Sequence, residues 1–147
     1  MTRRQLTLAV PILLTLHNLE EALTFPRWLP VIQTRVPFGL QAWFDEISPW
    51  TVYAALIAAT AVPWAIALWS VRRPSSVLAS SFVLLVQAVV LLNVFWHLLV
   101  AGTLLRGYSP GLLTAVMLNL PFSVYLFKRA RQEGWVQRPI RPRTSGM

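Results

Sequence analysis

The chain has 147 residues, of which 56% are hydrophobic and only 12% charged, about half the charged share of an ordinary soluble domain. A mean hydropathy of +0.57 excludes a typical water-soluble fold, and the lack of cysteine excludes disulfide frameworks, zinc ribbons and thiol nucleophiles. The net charge of +8 does not read as nucleic-acid binding, because the basic residues cluster at the ends of long apolar runs, where they act as topology signals.

Four stretches approach or exceed the roughly 20 apolar residues that cross a hydrocarbon core of about 30 Å. They cover residues 6–25, 50–71, 77–105 and 111–127. Lipid offers the backbone no partners, so each stretch is predicted to be a helix. The expected fold is all-α: a single four-helix transmembrane domain over residues 1–130, followed by a flexible basic tail over 131–147. The first stretch opens with Arg3 and Arg4 ahead of an apolar run, as a secretory signal does. It continues through His17, Glu20 and Glu21 to Pro26 without a small-x-small cleavage site, and is read as an uncleaved helix.

The connection to the second stretch holds Pro26, Pro30 and Pro37, with Trp28 and Trp43. Leu40, Trp43, Phe44 and Ile47 recur at helical spacing and Asp45 and Glu46 fall on the other side, which predicts a short helix lying in the outer interface as a lid or an aromatic anchor. Ser48 and Pro49 form an N-cap and first-turn pair, as do Ser109 and Pro110 ahead of the fourth stretch. Pro11, Pro63 and Pro121 interrupt three of the spans. Ala54 with Ala58, and Ala55 with Ala59, give the second span a face fit for close helix approach.

Ten of the 13 Lys and Arg residues fall on one side of the predicted bundle: Arg3, Arg4, Arg72, Arg73, Lys128, Arg129, Arg131, Arg138, Arg141 and Arg143. Arg27, Arg35 and Arg106 remain for the other. The positive-inside rule then sets both termini in the cytoplasm. Membrane lipids are the expected partner of the tail from Lys128 to Arg143, at about 1 kcal/mol per basic residue.

The run His17-Asn18-Leu19-Glu20-Glu21 places three ionisable groups inside lipid, where an acidic side chain costs roughly 2.5–3.5 kcal/mol. On a helix Glu21 lies about 40° and Glu20 about 60° from His17, so all three are expected to point at one place. Asn93 and His97 share a face of the third span and supply the second half. At 1.5 Å per residue Glu20 and Glu21 lie about 25 Å, and Asn93 about 30 Å, from the inner arginines, which sets both groups in the outer half of the membrane. Tyr108, Tyr53, Arg106 and Trp96 are candidates to line a substrate pocket, with Thr51 near the same rim. A lone buried His often bonds only a carbonyl of its own helix, and a lone Asn often only joins helices. A His with two Glu on one helix is an ionisable cluster of the kind that marks function.

This string, with Asn93 to His97 and then Tyr108-Ser109-Pro110-Gly111, resembles the bacterial HxxEE-domain family, small membrane proteins without an assigned activity. The resemblance covers about residues 8–130. It implies that His17, Glu20 and Glu21 are signature positions, and adds Asn93, His97, Tyr108 and Pro110. Small membrane isomerases of the sterol-isomerase type are similar, in architecture alone, in placing His and Glu in a four-helix pocket.

The leading expectation is an enzyme acting on a lipophilic small molecule that enters from the bilayer. One route is acid–base chemistry by His17, Glu20, Glu21, His97 and Asn93, for isomerisation, cyclisation or epoxide opening. The other is metal-assisted chemistry such as hydrolysis, with His17, Glu20, Glu21 and His97 as ligands to zinc or non-haem iron. A proton- or cation-coupled transporter is the alternative, for which a homodimer would supply eight helices, and a partner in a larger complex is a third.

Overall fold

The computed structural model describes residues 1–37, 39 and 41–137. Leu40, the side chains of Trp43 and Phe44, and Arg138, Arg141 and Arg143 lie outside the described residues. Among the described residues the structure is all-helical. Three helices are long and apolar enough to cross a membrane: Arg3–Arg35, Pro49–Arg72 and Val77–Leu105.

Helix α1 spans Arg3–Arg35 and starts on a capping box: the Thr2 hydroxyl accepts from Gln5 N, and the Gln5 side chain from Thr2 N. It does not stop at Phe25 but runs on through Pro26 and Pro30. The reason is tertiary. Ile32, Val36 and Leu105 are buried together, with Phe25, Trp28, Val100 and Leu104 packed around them. Several side chains at about 1.5–3 kcal/mol each outweigh the ~3 kcal/mol cost of each internal proline. The Arg35 guanidinium also donates to the carbonyls of Leu105 at 3.0 Å and Leu104 at 3.4 Å.

The short helix α2, Gln41–Asp45, packs on α1; Asp45 and Glu46 are exposed. Helix α3, Pro49–Arg72, begins as the sequence predicts, with Pro49 in its first turn and the Ser48 hydroxyl accepting from Thr51 N at 3.2 Å. It packs on α1 and α4 but buries little besides Pro63, Ala67 and Ser70. The close approach expected at Ala54, Ala55, Ala58 and Ala59 is not made, since all four are exposed. The face turned to α1 bonds through other residues: Asn18 Nδ2 donates to Thr60 Oγ1 at 2.7 Å, and Trp64 Nε1 to Thr15 Oγ1 at 3.1 Å.

Helix α4, Val77–Leu99, continues as a π-helical segment over Val100–Leu105. The chain reverses at Arg106, whose backbone is left-handed at φ 51°. Its return is one helical run in three parts: α5 over Leu112–Thr114, a π-helical segment over Ala115–Asn119, and α6 over Leu120–Gln132. The wide turn precedes Pro121, whose ring has no N–H to donate back. Ser109 does not cap this helix. Its hydroxyl donates to His97 O at 3.2 Å, and Gly111 holds the N-cap position at φ 80°.

At the end of the bundle that holds the start of α1, Leu6, Val10, Val83, Leu126, Ala130 and Trp135 form one buried cluster across α1, α4 and the end of the chain's last helix. The Arg3 guanidinium lies 4.8 Å over the Trp135 ring and bonds the Ser80 hydroxyl. Trp135 is thus anchored on the bundle by burial, within the segment that the sequence leads us to expect as a flexible tail. Between the two ends, Gln87 Nε2 donates to Ser123 Oγ at 2.6 Å and Ser123 Oγ to Asn119 O at 2.7 Å, all within buried residues. A double-mutant cycle of Gln87→Leu and Ser123→Ala, read by reversible unfolding in mixed micelles, should give a coupling of about 0.6–1.7 kcal/mol. Zero coupling would remove this pair as a tether between α4 and the last helix.

Candidate metal centre

Helix α1 carries the motif, but it does not send all three side chains to one point. Glu20 and Glu21 lie on either side of His17 around the helix, about 100° apart. Glu21 turns with His17 toward α4, and Glu20 turns toward the last helix.

Glu20 is bound by donors alone. It accepts from Tyr108 OH at 2.5 Å, Thr114 Oγ1 at 2.5 Å, Thr114 N at 2.7 Å and Leu113 N at 3.2 Å. Two of these are free N–H groups in the first turn of the last helix, so α1 supplies the capping carboxylate that Gly111 cannot. Burial, then the bond to Glu20, holds the Tyr108 phenol above its ordinary pKa, so it remains a donor. This donor set occupies both Glu20 oxygens and leaves Glu20 outside the group of candidate metal ligands, contrary to the expectation that it would be one.

The same threonine fixes the histidine. Thr114 Oγ1 gives its proton to Glu20 and lies 3.0 Å from His17 Nδ1, so it accepts the Nδ1 hydrogen and leaves the His17 Nε2 lone pair free. Asn93 Nδ2 lies 2.9 Å from His17 Nε2 and 3.0 Å from His97 Nε2, one amide donating to both lone pairs. The His97 ring also donates to the Pro110 carbonyl. The two rings meet edge to face at 4.9 Å. Glu21 closes the group, with its oxygens 3.3 Å from His97 Nε2 and 3.9 Å from His17 Nε2.

One nitrogen from each imidazole and one Glu21 oxygen all lie within 4.8 Å of one another, close enough to hold a metal ion. Ligand atoms about 2.0–2.2 Å from a tetrahedral ion sit roughly 3.3–3.6 Å apart, so the His97–Glu21 edge already has that length. Both histidines are buried, with His17 fully so, and Glu21 is partly accessible. Both imidazoles have a second partner, at Thr114 or Pro110, of the kind that orients a metal-bound histidine.

Gly111 roofs this group. A Cβ there would come within 2.7 Å of Glu21 Cγ, 2.8 Å of His17 Cε1 and 3.0 Å of His97 Cε1, on a backbone already at φ 80°. Gly111 and Thr114 were not singled out as functional from the sequence. Thr114 stands out as a hydroxyl in an apolar run, but its partner at Glu20 is 94 residues away.

Of the pocket candidates, Tyr108 joins the site through Glu20 and packs against Trp28, with ring centroids 6.0 Å apart. Trp96 shares a small cavity with Glu21 and His97, and Thr51 shares another with Glu21. Tyr53 packs edge-on to Trp50 and faces a separate recess beside Asn18 and Leu19. Arg106 is exposed on its left-handed turn, away from the ligand group. Gly111→Ala should cost about 1–3 kcal/mol by overpacking and disturb the His/Glu group, read by thermal unfolding. Gly107→Ala, with nothing within 4 Å of the new Cβ, should change neither; equal effects would show that the roof contact is unimportant.

No solved structure matches the chain. It is 31% identical over 109 residues to a Bacillus subtilis (strain 168) protein described as "Uncharacterized protein YrkK", the match covering 74% of this chain and 63% of that protein. The chain thus spans less than two thirds of that relative's length. Residues 8–126 match the family described as "Protein of unknown function with HXXEE motif". The chain therefore belongs to the HXXEE family, with His17, Glu20 and Glu21 as the residues of its motif.

Proposed function

We propose that this protein is an intramembrane metalloenzyme acting on a lipophilic small molecule, with His17, Glu21 and His97 holding a zinc or iron ion. In this reading four helices cross a bacterial inner membrane, the last being the run over 112–132, and both termini face the cytoplasm. The observation that carries it is the convergence of two imidazoles and one carboxylate within 4.8 Å, each imidazole having a second partner that orients it. Two His and one carboxylate with an open position are a donor set suited to zinc hydrolases or non-haem iron chemistry.

The chain's own residues divide the work. Thr114, held by Glu20, keeps the hydrogen of His17 on Nδ1 and aims Nε2 into the site; Asn93 occupies both Nε2 lone pairs until an ion replaces it. Glu21 supplies the charge and faces the cavities where a substrate would sit. A divalent ion would supply Lewis acidity and lower the pKa of a coordinated water. Glu20, Tyr108 and Thr114 are positioning residues. The packed cluster of Leu6, Val10, Val83 and Leu126 closes the inner half beneath the site, which favours a one-sided catalytic pocket over a transport path.

Elemental analysis of protein purified without a His tag tests this reading. About one zinc or iron per chain is expected, lost in Glu21→Gln and His97→Ala. Thr114→Val and Glu20→Gln should weaken binding by about 10–100-fold, as loss of an orienting partner does. Protons compete for the same lone pairs, so affinity should rise with pH while the ligands lose protons, and fall on acidification. Metal content that is absent, or indifferent to Glu21 and His97, would overturn the proposal.

A further inference from the structure

An elongated cavity of about 680 Å³ separates α3 from α1 and α4, within the size range of small-molecule sites. Its wall is almost wholly aliphatic or aromatic, from Ile66, Phe82 and Leu85 at one end to Leu56 and Val89 near the other. The polar residues Asn18, Glu21 and Asn93 gather at that second end. From Phe82 to Asn93 the slot follows α4 for about 16 Å at 1.5 Å per residue. A space that is polar at one end and apolar along its length matches an amphiphile lying parallel to the helices.

We propose that this slot binds a single-chain amphiphile with a neutral, hydroxyl-bearing head, placing the head at Glu21 and Asn93 and the chain along Val89, Leu85 and Phe82. This rests on the metal reading of the same site, which it deepens by naming the substrate class. Two observations select the head. Asn93 turns its amide nitrogen to the two imidazoles, and no described residue donates to its Oδ1, so that oxygen offers an acceptor to a hydroxyl donor whether or not an ion takes the imidazole lone pairs. The charges also balance: a divalent ion is offset by the Glu20 and Glu21 carboxylates, and no Lys or Arg lines the slot. An anionic head would enter without compensation. The chain enters from the lipid past Ala58 and Ala59, which are exposed and leave the gap between helices open.

Photolabelling of the full chain in detergent micelles tests this, using dodecanol with a diazirine in mid-chain and the matching dodecanoic acid, with adducts mapped by peptide mass spectrometry. The alcohol should label α3 and α4 at slot residues, in competition with unlabelled dodecanol. Ala59→Phe and Val89→Trp should each reduce that label by about tenfold, with metal content and thermal unfolding unchanged. Even labelling of the lipid-facing Leu92 and Phe95, which are not in the slot wall, would overturn the proposal, as would label insensitive to both variants. Equal labelling by the acid would overturn the head assignment. Bound metal without slot labelling defeats this proposal alone; slot labelling without metal defeats the metal reading alone.

Discussion

A carboxylate placed among apolar helices must be met by donors, and the way Glu20 meets this requirement sets the rest of the bundle. Its donors are the first N–H groups of the last helix, the Thr114 hydroxyl and Tyr108. Because backbone donors at a helix start point along one axis, the carboxylate fixes both the height and the rotation of that helix against α1. Gly111 is thereby brought over His17 and His97. Thr114 falls beside His17 Nδ1. The group of His17, Glu21 and His97 is positioned by a charge that does not belong to it.

The irregular helices on either side follow the same logic. The segments Val100–Leu105 and Ala115–Asn119 are both π-helical, and they bracket the loop that closes the site. Wide turns of this kind are rare and recur at functional sites. Here the first carries α4 from His97 to the reversal at Arg106, and the second lets the last helix begin at Glu20 yet continue past Pro121. Arg35 holds the end of the first from outside.

Much of this was legible in the chain itself, because burying ionisable groups in oil is costly enough to leave a mark. His17, Glu21, Asn93 and His97 announce themselves as polar residues in apolar runs, and helical spacing puts each pair on one face. The roles of the two glutamates were not legible. Their separation about His17 allows one shared focus or two different ones, and the choice lies with the last helix, 94 residues on at Thr114. Pro26 and Pro30 misled for a related reason: local propensity marks an end, while packing against Val100 and Leu105 carries α1 through to Arg35. Gly111 carries no chemistry of its own, and its importance is visible only once three side chains are found beneath it.

The distance along the chain between Glu20 and its donors also bears on biosynthesis. At roughly 5–20 residues per second, the ribosome finishes the HxxEE segment several seconds before Thr114 exists. During that interval the two carboxyls of the first hydrophobic segment have no helix start to receive them, at a cost of roughly 2.5–3.5 kcal/mol for each one that enters lipid. The donors that relieve Glu20 are among the last parts of the bundle to be made.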